Sequence, residues 1–277
     1  MDAQAVAGID GRLRMIAAEH RVAIPLAIES GSRAWGFPSP DSDYDCRFIF
    51  VRTVEDYLSL FAKRDVIEMP LEGELDVNGW DVAKALRLML KGNAVVIEWL
   101  TSPIVYAADP WFRDEFLALA RRWAIRERIA RHYLHLGERQ RKAYFADRKR
   151  VEMKKIFYAL RPAAALRWLR LHKHESIAPM HFPALMEECD PPSEVRAIVL
   201  ELTAKKALTR ELGVEFLPAP VSQFIDAEFA AAREAFAEEV PAVAEEAKTE
   251  AERFFHSVLS RLSRSGDNST RNSGASS

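Results

Sequence analysis

The sequence has little cysteine: two residues, Cys46 and Cys189, among 277. That scarcity excludes a disulfide framework and a zinc knuckle and suits a chain kept reduced. Long apolar runs are missing too, since none approaches the roughly 18 residues of a membrane-spanning helix; no membrane partner is expected. Residues 1–15 lack the basic-then-apolar pattern of a secretory signal, and a cytoplasmic protein is the expectation. Net charge is nearly absent, with 39 Lys and Arg against 41 Asp and Glu. Taken alone, that balance argues against a polyanionic partner. No internal repeat is present, and no Ser/His/Asp or Cys/His set suggests a hydrolase. What is there is ordinary globular material: a hydrophobic fraction of 49% excludes wholesale disorder.

The charge is unevenly spread. Residues 1–120 carry 12 basic and 19 acidic side chains, residues 121–175 carry 17 and 5, and residues 176–260 carry 7 and 16. A basic centre lies between two acidic flanks.

The pattern predicts an α+β protein. Short apolar strands are expected at 22–30 and 46–51, with others at 65–69 and in the alternating stretch 74–80. Helices are expected at 3–19, 54–61, from Asp81 to a stop at Gly92, and at 95–100. From Trp111 onward the spacing is helical: 111–123, 124–145, 151–172, 182–188, 192–212 and 225–261. Pro103 and Pro110 bracket a strand-poor link. The domains expected are 1–105, a helical domain 106–262, and a disordered tail 263–277 that is low in apolar residues.

The chemistry concentrates in residues 29–51, ESGSRAWGFPSPDSDYDCRFIFV. A strand runs into Gly31-Ser32 and a short helix begins at Arg33-Ala34-Trp35. Gly31 permits close backbone approach, the helix start presents free N–H groups, and Ser32 adds a hydroxyl; together they describe a phosphate cradle. Asp43 and Asp45, two apart on a strand, share a face. Two carboxylates about 4 Å apart repel by roughly 4 kcal/mol at an effective dielectric of 20, so such a pair holds a proton or a cation, and hard oxygen ligands suit Mg²⁺. A polar turn is the competing reading, favoured for Asp41 and open for Asp43 and Asp45. A calcium loop is excluded, because its sixth position is Cys46 and its twelfth Arg52.

Gly31-Ser32 followed by Asp43-x-Asp45 resembles the signature of the polymerase-β-like nucleotidyltransferase superfamily. Together with RDVIE at 64–68, LDVNGWDVAKALRLMLKGNAVVIEWL at 75–100 and LRPAAALRWL at 160–169, the segment is similar to the YcgL/RlaP-type predicted nucleotidyltransferases. The departures are Cys46 for an aliphatic residue and Ala94 for proline. The resemblance implies a nucleotidyltransferase-fold domain with a small mixed sheet flanked by helices, followed by an all-α domain. By the same resemblance, Gly31 and Ser32 hold nucleotide phosphates, and Asp43 and Asp45 ligate metal. The third acid it requires is assigned to Asp76, with Asp81 and Glu68 as fallbacks; Asp81 also reads as a helix cap. It implies two Mg²⁺ ions, an NTP (ATP favoured), and nucleotidyl transfer to a hydroxyl or phosphate with release of pyrophosphate. An RNA end, a protein hydroxyl and a small molecule stay open as acceptors, with RNA favoured. The rival readings are an inactive nucleotide- or RNA-binding module and a helical interaction protein.

Other candidates carry two readings each. Arg33 contacts a phosphate or pairs with an aspartate. Lys154, Tyr158 and Arg161 share one helix face and either grip a triphosphate and stack a base or form a solvated face. Lys91-Gly92-Asn93 reads mainly as a helix C-cap. His132, His135, His172 and His174 read as surface residues, and the two cysteines as small buried hydrophobes.

Overall fold

Alternation along Tyr44–Val51 is the organising pattern. Cys46, Phe48 and Phe50 enter one hydrophobic cluster, whereas Ile49 and Val51 enter another. A strand with both faces buried must be central, and this one is. The computed structural model describes residues 1–145, 150–209, 213–240 and 242–271, without the side chains of 150, 153, 154, 214, 215 and 262–271.

The first part runs α1 (Ala3–His20), β1 (Ala23–Glu29), α2 (Gly31–Trp35), β2 (Tyr44–Val51), α3 (Val54–Tyr57), β3 (Val66–Glu68), β4 (Leu75–Asp81), α4 (Val82–Leu90), α5 (Ala94–Thr101) and β5 (Val105–Ala108). The remainder is α6 (Pro110–Trp123), α7 (Arg126–Tyr144), β6 (Arg150–Glu152), α8 (Met153–Leu171), α9 (Phe182–Glu188), α10 (Ser193–Leu208), β7 (Val214–Phe216), α11 (Ala219–Ala235) and α12 (Glu245–Arg271).

Five strands form one mixed sheet in the order β3-β4-β2-β1-β5. β2 and β4 are parallel, and the other pairs are antiparallel. Helix α1 covers one face through Ile9, Leu13 and Ile16. The other face takes α4 through Val82, Leu86 and Met89, and α6 through Phe112 and Phe116. The last helices wrap α8, whose Ile156, Phe157, Leu160 and Leu166 centre a third cluster. An α+β fold with a small mixed sheet and further helices behind it is the architecture predicted.

Four features depart from expectation. The part expected to be all-α carries a two-stranded antiparallel sheet, β6-β7. The link after Pro103 is strand β5, which pairs with β1 at the sheet edge. Residues 225–261 fall in two helices, α11 and α12, rather than one. Finally, α6 and α12 pack with the sheet, where Phe254 meets Phe112 and Phe116 at ring separations of 5.6 and 5.3 Å. The hydrophobic clusters therefore do not divide the chain at residue 105. The backbone of α12 enters the expected tail as far as Arg271, and residues 272–277 lie outside the described residues.

Candidate active site

The site forms where the end of β1 meets the starts of β2 and β4. Gly31 has φ +59°, and a Cβ there would lie 2.0 Å from Asp45 Oδ2. Glycine is required both by the left-handed backbone and by the carboxylate against it. Ser32 Oγ donates to Ser42 Oγ at 2.9 Å, and the Ser39 N–H donates to the same hydroxyl oxygen at 2.9 Å. These bonds fold the 36–43 loop back over α2.

Parallel pairing sets Asp45 directly beside Asp76. Neighbours in register share a face, so both carboxylates emerge together. Asp43, just ahead of β2, is exposed at the rim. The Arg47 guanidinium lies between the paired acids: Nη2 donates to Asp45 Oδ1 at 3.0 Å and to Asp76 Oδ2 at 2.6 Å. Asn78 Nδ2 donates to the other Asp76 oxygen at 2.5 Å. Burial pushes the Asp45 carboxyl above the usual carboxylate range, Arg47 opposes that rise, and the Asp76 charge adds to it.

Behind Asp45 sits fully buried Glu29. Its Oε1 accepts the Asp45 N–H at 2.9 Å, and its Oε2 accepts the Tyr106 hydroxyl. Burial raises Glu29 from 4.5 to about 7, against the lowering effect of those two hydrogen bonds.

A cleft of about 510 Å³ opens over Asp43 and Asp45, with Asp76 behind on the strand that neighbours Asp45. Gly31, Ser32, Asp43, Asp45 and Arg47 line one side, and Lys155, Tyr158 and Lys206 line the other. The two sides sense each other: burial first, then the charge of Asp45, raises the Tyr158 phenol. Lys155 Nζ lies 4.7 Å from the Tyr144 ring centre and 5.4 Å from that of Tyr158. Lys206, almost wholly buried, donates to the Phe37 carbonyl at 2.6 Å.

The structure thus gathers Gly31, Ser32, Asp43, Asp45, Asp76 and Tyr158. Arg33 is elsewhere engaged: it stacks 3.8 Å from the Tyr44 ring centre and donates to the carbonyls of Asp43 (3.1 Å) and Ser42 (2.6 Å). Arg161 is corrected outright. It is 3% exposed, pairs with buried Glu98 at 2.8 Å, and donates to the Met180 carbonyl. Tyr133 donates to the same Glu98 oxygen at 2.8 Å. The Lys154 side chain lies outside the described residues. Of the fallback acids, Asp81 caps α4 by accepting the Ala83 N–H at 2.8 Å, and exposed Glu68 pairs with Arg64. Gly92 ends α4 with φ +79°, and Asn93 caps α5.

Sequence reasoning missed Arg47, Lys155, Lys206 and Glu29. Arg47 carried a signal, being two residues beyond Asp45 on the same strand face; Lys206 contacts a carbonyl 169 residues away and carried none. Much of the basic excess does not face the acids. Arg126, Arg131 and Arg167 donate to main-chain carbonyls, and Arg141 and Arg170 pair with Asp226 and Glu228.

Among the described residues no group of three or more His, Cys, Asp or Glu side chains is arranged to hold a metal ion. The donors nevertheless suit Mg²⁺, which takes one or two carboxylates and fills its shell with water and phosphate oxygens. No helix among the described residues is long and apolar enough to cross a membrane.

Residues 7–257 match the family described as "RNA repair pathway DNA polymerase beta family". The chain is also 39% identical over 255 residues to the uncharacterized protein YcgL of Bacillus subtilis (strain 168), covering 92% of this chain and 96% of that one. These matches place it: the chain belongs to the RNA repair pathway DNA polymerase beta family.

Proposed function

We propose that the protein is a Mg²⁺-dependent nucleotidyltransferase that moves a nucleotidyl group, AMP from ATP being favoured, onto an RNA end with release of pyrophosphate. The observation that carries this reading is the register of Asp45 beside Asp76 across a cleft from Lys155 and Lys206. The family's place in RNA repair supports RNA as acceptor.

Asp45 and Asp76 would hold the metal, with exposed Asp43 as the further acid that the family resemblance implies and two ions as its expectation. Bound there, Mg²⁺ supplies Lewis-acid stabilisation of the reacting phosphate and lowers the pKa of the acceptor hydroxyl. The residues of the chain do the rest by positioning and charge, as phosphoryl transfer chiefly requires. Gly31 lets the triphosphate approach the backbone, and the Ser32 hydroxyl adds a donor. Lys155 and Lys206 offset phosphate charge from the opposite wall, and Tyr158 with Trp35 offers ring faces to the base. Asp76 takes up the proton of the acceptor hydroxyl. The volume of the cleft lies within the range of about 300–1,000 Å³ usual for small-molecule sites.

Incubating the protein with each α-labelled NTP, Mg²⁺ and RNA oligonucleotides bearing hydroxyl or phosphate ends tests this directly. Label should pass to RNA from ATP and be lost in Asp45→Ala. Label on no RNA, with any NTP, overturns the acceptor assignment; no binding of any NTP overturns the enzyme reading.

A further inference from the structure

Arg47 stands in an unusual place. Its Nη2 contacts one oxygen of each paired acid, and Asn78 takes the second oxygen of Asp76. Its Nη1 is tethered to the sheet, donating to the Cys46 carbonyl at 3.1 Å and the Asp76 carbonyl at 2.9 Å. The three side chains are only 19%, 27% and 31% exposed, so water screens them incompletely. One oxygen of each paired acid, Asp45 Oδ1 and Asp76 Oδ2, is already held by a cation supplied by the chain.

We propose that Arg47 is a built-in occupant of the acidic site, a guanidinium that a divalent metal must displace from Asp45 and Asp76 before it can bind. The proposal rests on reading those acids as metal ligands. An ammonium or imidazolium could leave by losing its proton, but a guanidinium keeps its charge at any pH the protein survives, so only displacement frees the acids. Two carboxylates and one arginine leave a residual negative charge, which a divalent ion matches better. In the metal-free protein the arginine also prevents two half-buried carboxylates from facing each other uncompensated. Arg47 already lines the cleft, so a displaced guanidinium would stay near the groups that meet phosphate. Metal and nucleotide therefore assist each other's binding, because each favours the same displaced arginine.

The test is titration of Mn²⁺, followed by its free-ion paramagnetic resonance signal, into the full-length protein without nucleotide. Wild type is compared with Arg47→Met, with Arg47→Lys, and with Arg47→Gln, whose amide can still donate to the Cys46 carbonyl should the Met variant fail to fold. Met and Gln should each bind Mn²⁺ about tenfold more tightly or better, the scale of removing one competing charge, with Lys near wild type. In EDTA the neutral variants should melt below wild type, and Mn²⁺ should raise their melting temperature by more than it raises that of wild type. In an Asp76→Asn background the effect of Arg47→Met should shrink. Equal or weaker Mn²⁺ binding by a folded neutral variant overturns the role of Arg47 and leaves the metal site standing. Failure of wild type and all variants to bind Mn²⁺ overturns both readings.

Discussion

Phe37 stacks on Phe157, with ring centres 4.5 Å apart and planes at 21°. The first belongs to the loop that follows α2, and the second to α8, the central helix of the same hydrophobic cluster. The contact sets the distance between the two walls of the cleft. Phe37→Ala should destabilise the protein by about 3–5 kcal/mol, the usual cost of emptying a large buried aromatic site. Urea unfolding would read the loss, and nucleotide affinity should fall even where the variant stays folded.

Gly31→Ala should act differently. The left-handed backbone costs an alanine about 1 kcal/mol, and its methyl group collides with Asp45. Transfer activity should drop at least tenfold while the melting temperature falls only a few degrees, the two measured on the same preparation. Wild-type activity would mean that the position of Asp45 against the glycine is immaterial.

Glu29 gives the fold a pH dependence. Its folded pKa, about 7, exceeds its ordinary 4.5, so between those values the folded state holds a proton that the unfolded state has released. Stability is fullest below about pH 4.5 and declines as pH rises toward 7, by about 3 kcal/mol from this residue. Glu29→Gln should flatten that window in a series of chemical unfolding curves, and an unchanged slope would refute the assignment.

For Arg161, a phosphate ligand and a structural residue predict opposite outcomes. Removing its partner in Glu98→Ala leaves a buried guanidinium unpaired and should cost about 3–5 kcal/mol. Arg161→Met should likewise lower stability. A variant with unchanged melting temperature and raised KM for nucleotide would restore the ligand reading.

Lys155→Met should leave the melting temperature within a few degrees and weaken nucleotide binding about tenfold, since it removes one cation from the wall facing the acids. Equilibrium binding of a labelled nucleotide measures it.

The strands and acids were legible because period-two alternation is local. Asp45, Ile49 and Val51 point one way and Cys46, Phe48 and Phe50 the other, and LDVNGW repeats the rule at Asp76. Arg161 was misread because helical spacing tells which residues share a face and not whether that face meets water. Helix α8 is buried on nearly every side, so its sequence offers no contrast to read. Lys206 and the return of Phe254 to the sheet come from contacts between distant segments, which no local pattern encodes. The short strands β5, β6 and β7 show no alternation that declares them.

Helix α12 has a consequence for how the molecule is made. Ala251, Phe254 and Val258 complete the hydrophobic cluster under Leu26, Ile28 and Ile49, so the sheet that bears the acids is sealed by a segment that follows all the helices around α8. On the ribosome, the helices around α8 have all their partners before the sheet does. The sheet is translated before those helices and finished after them, and a protein cut before α12 loses the floor of its acidic site before it loses the helical wall opposite.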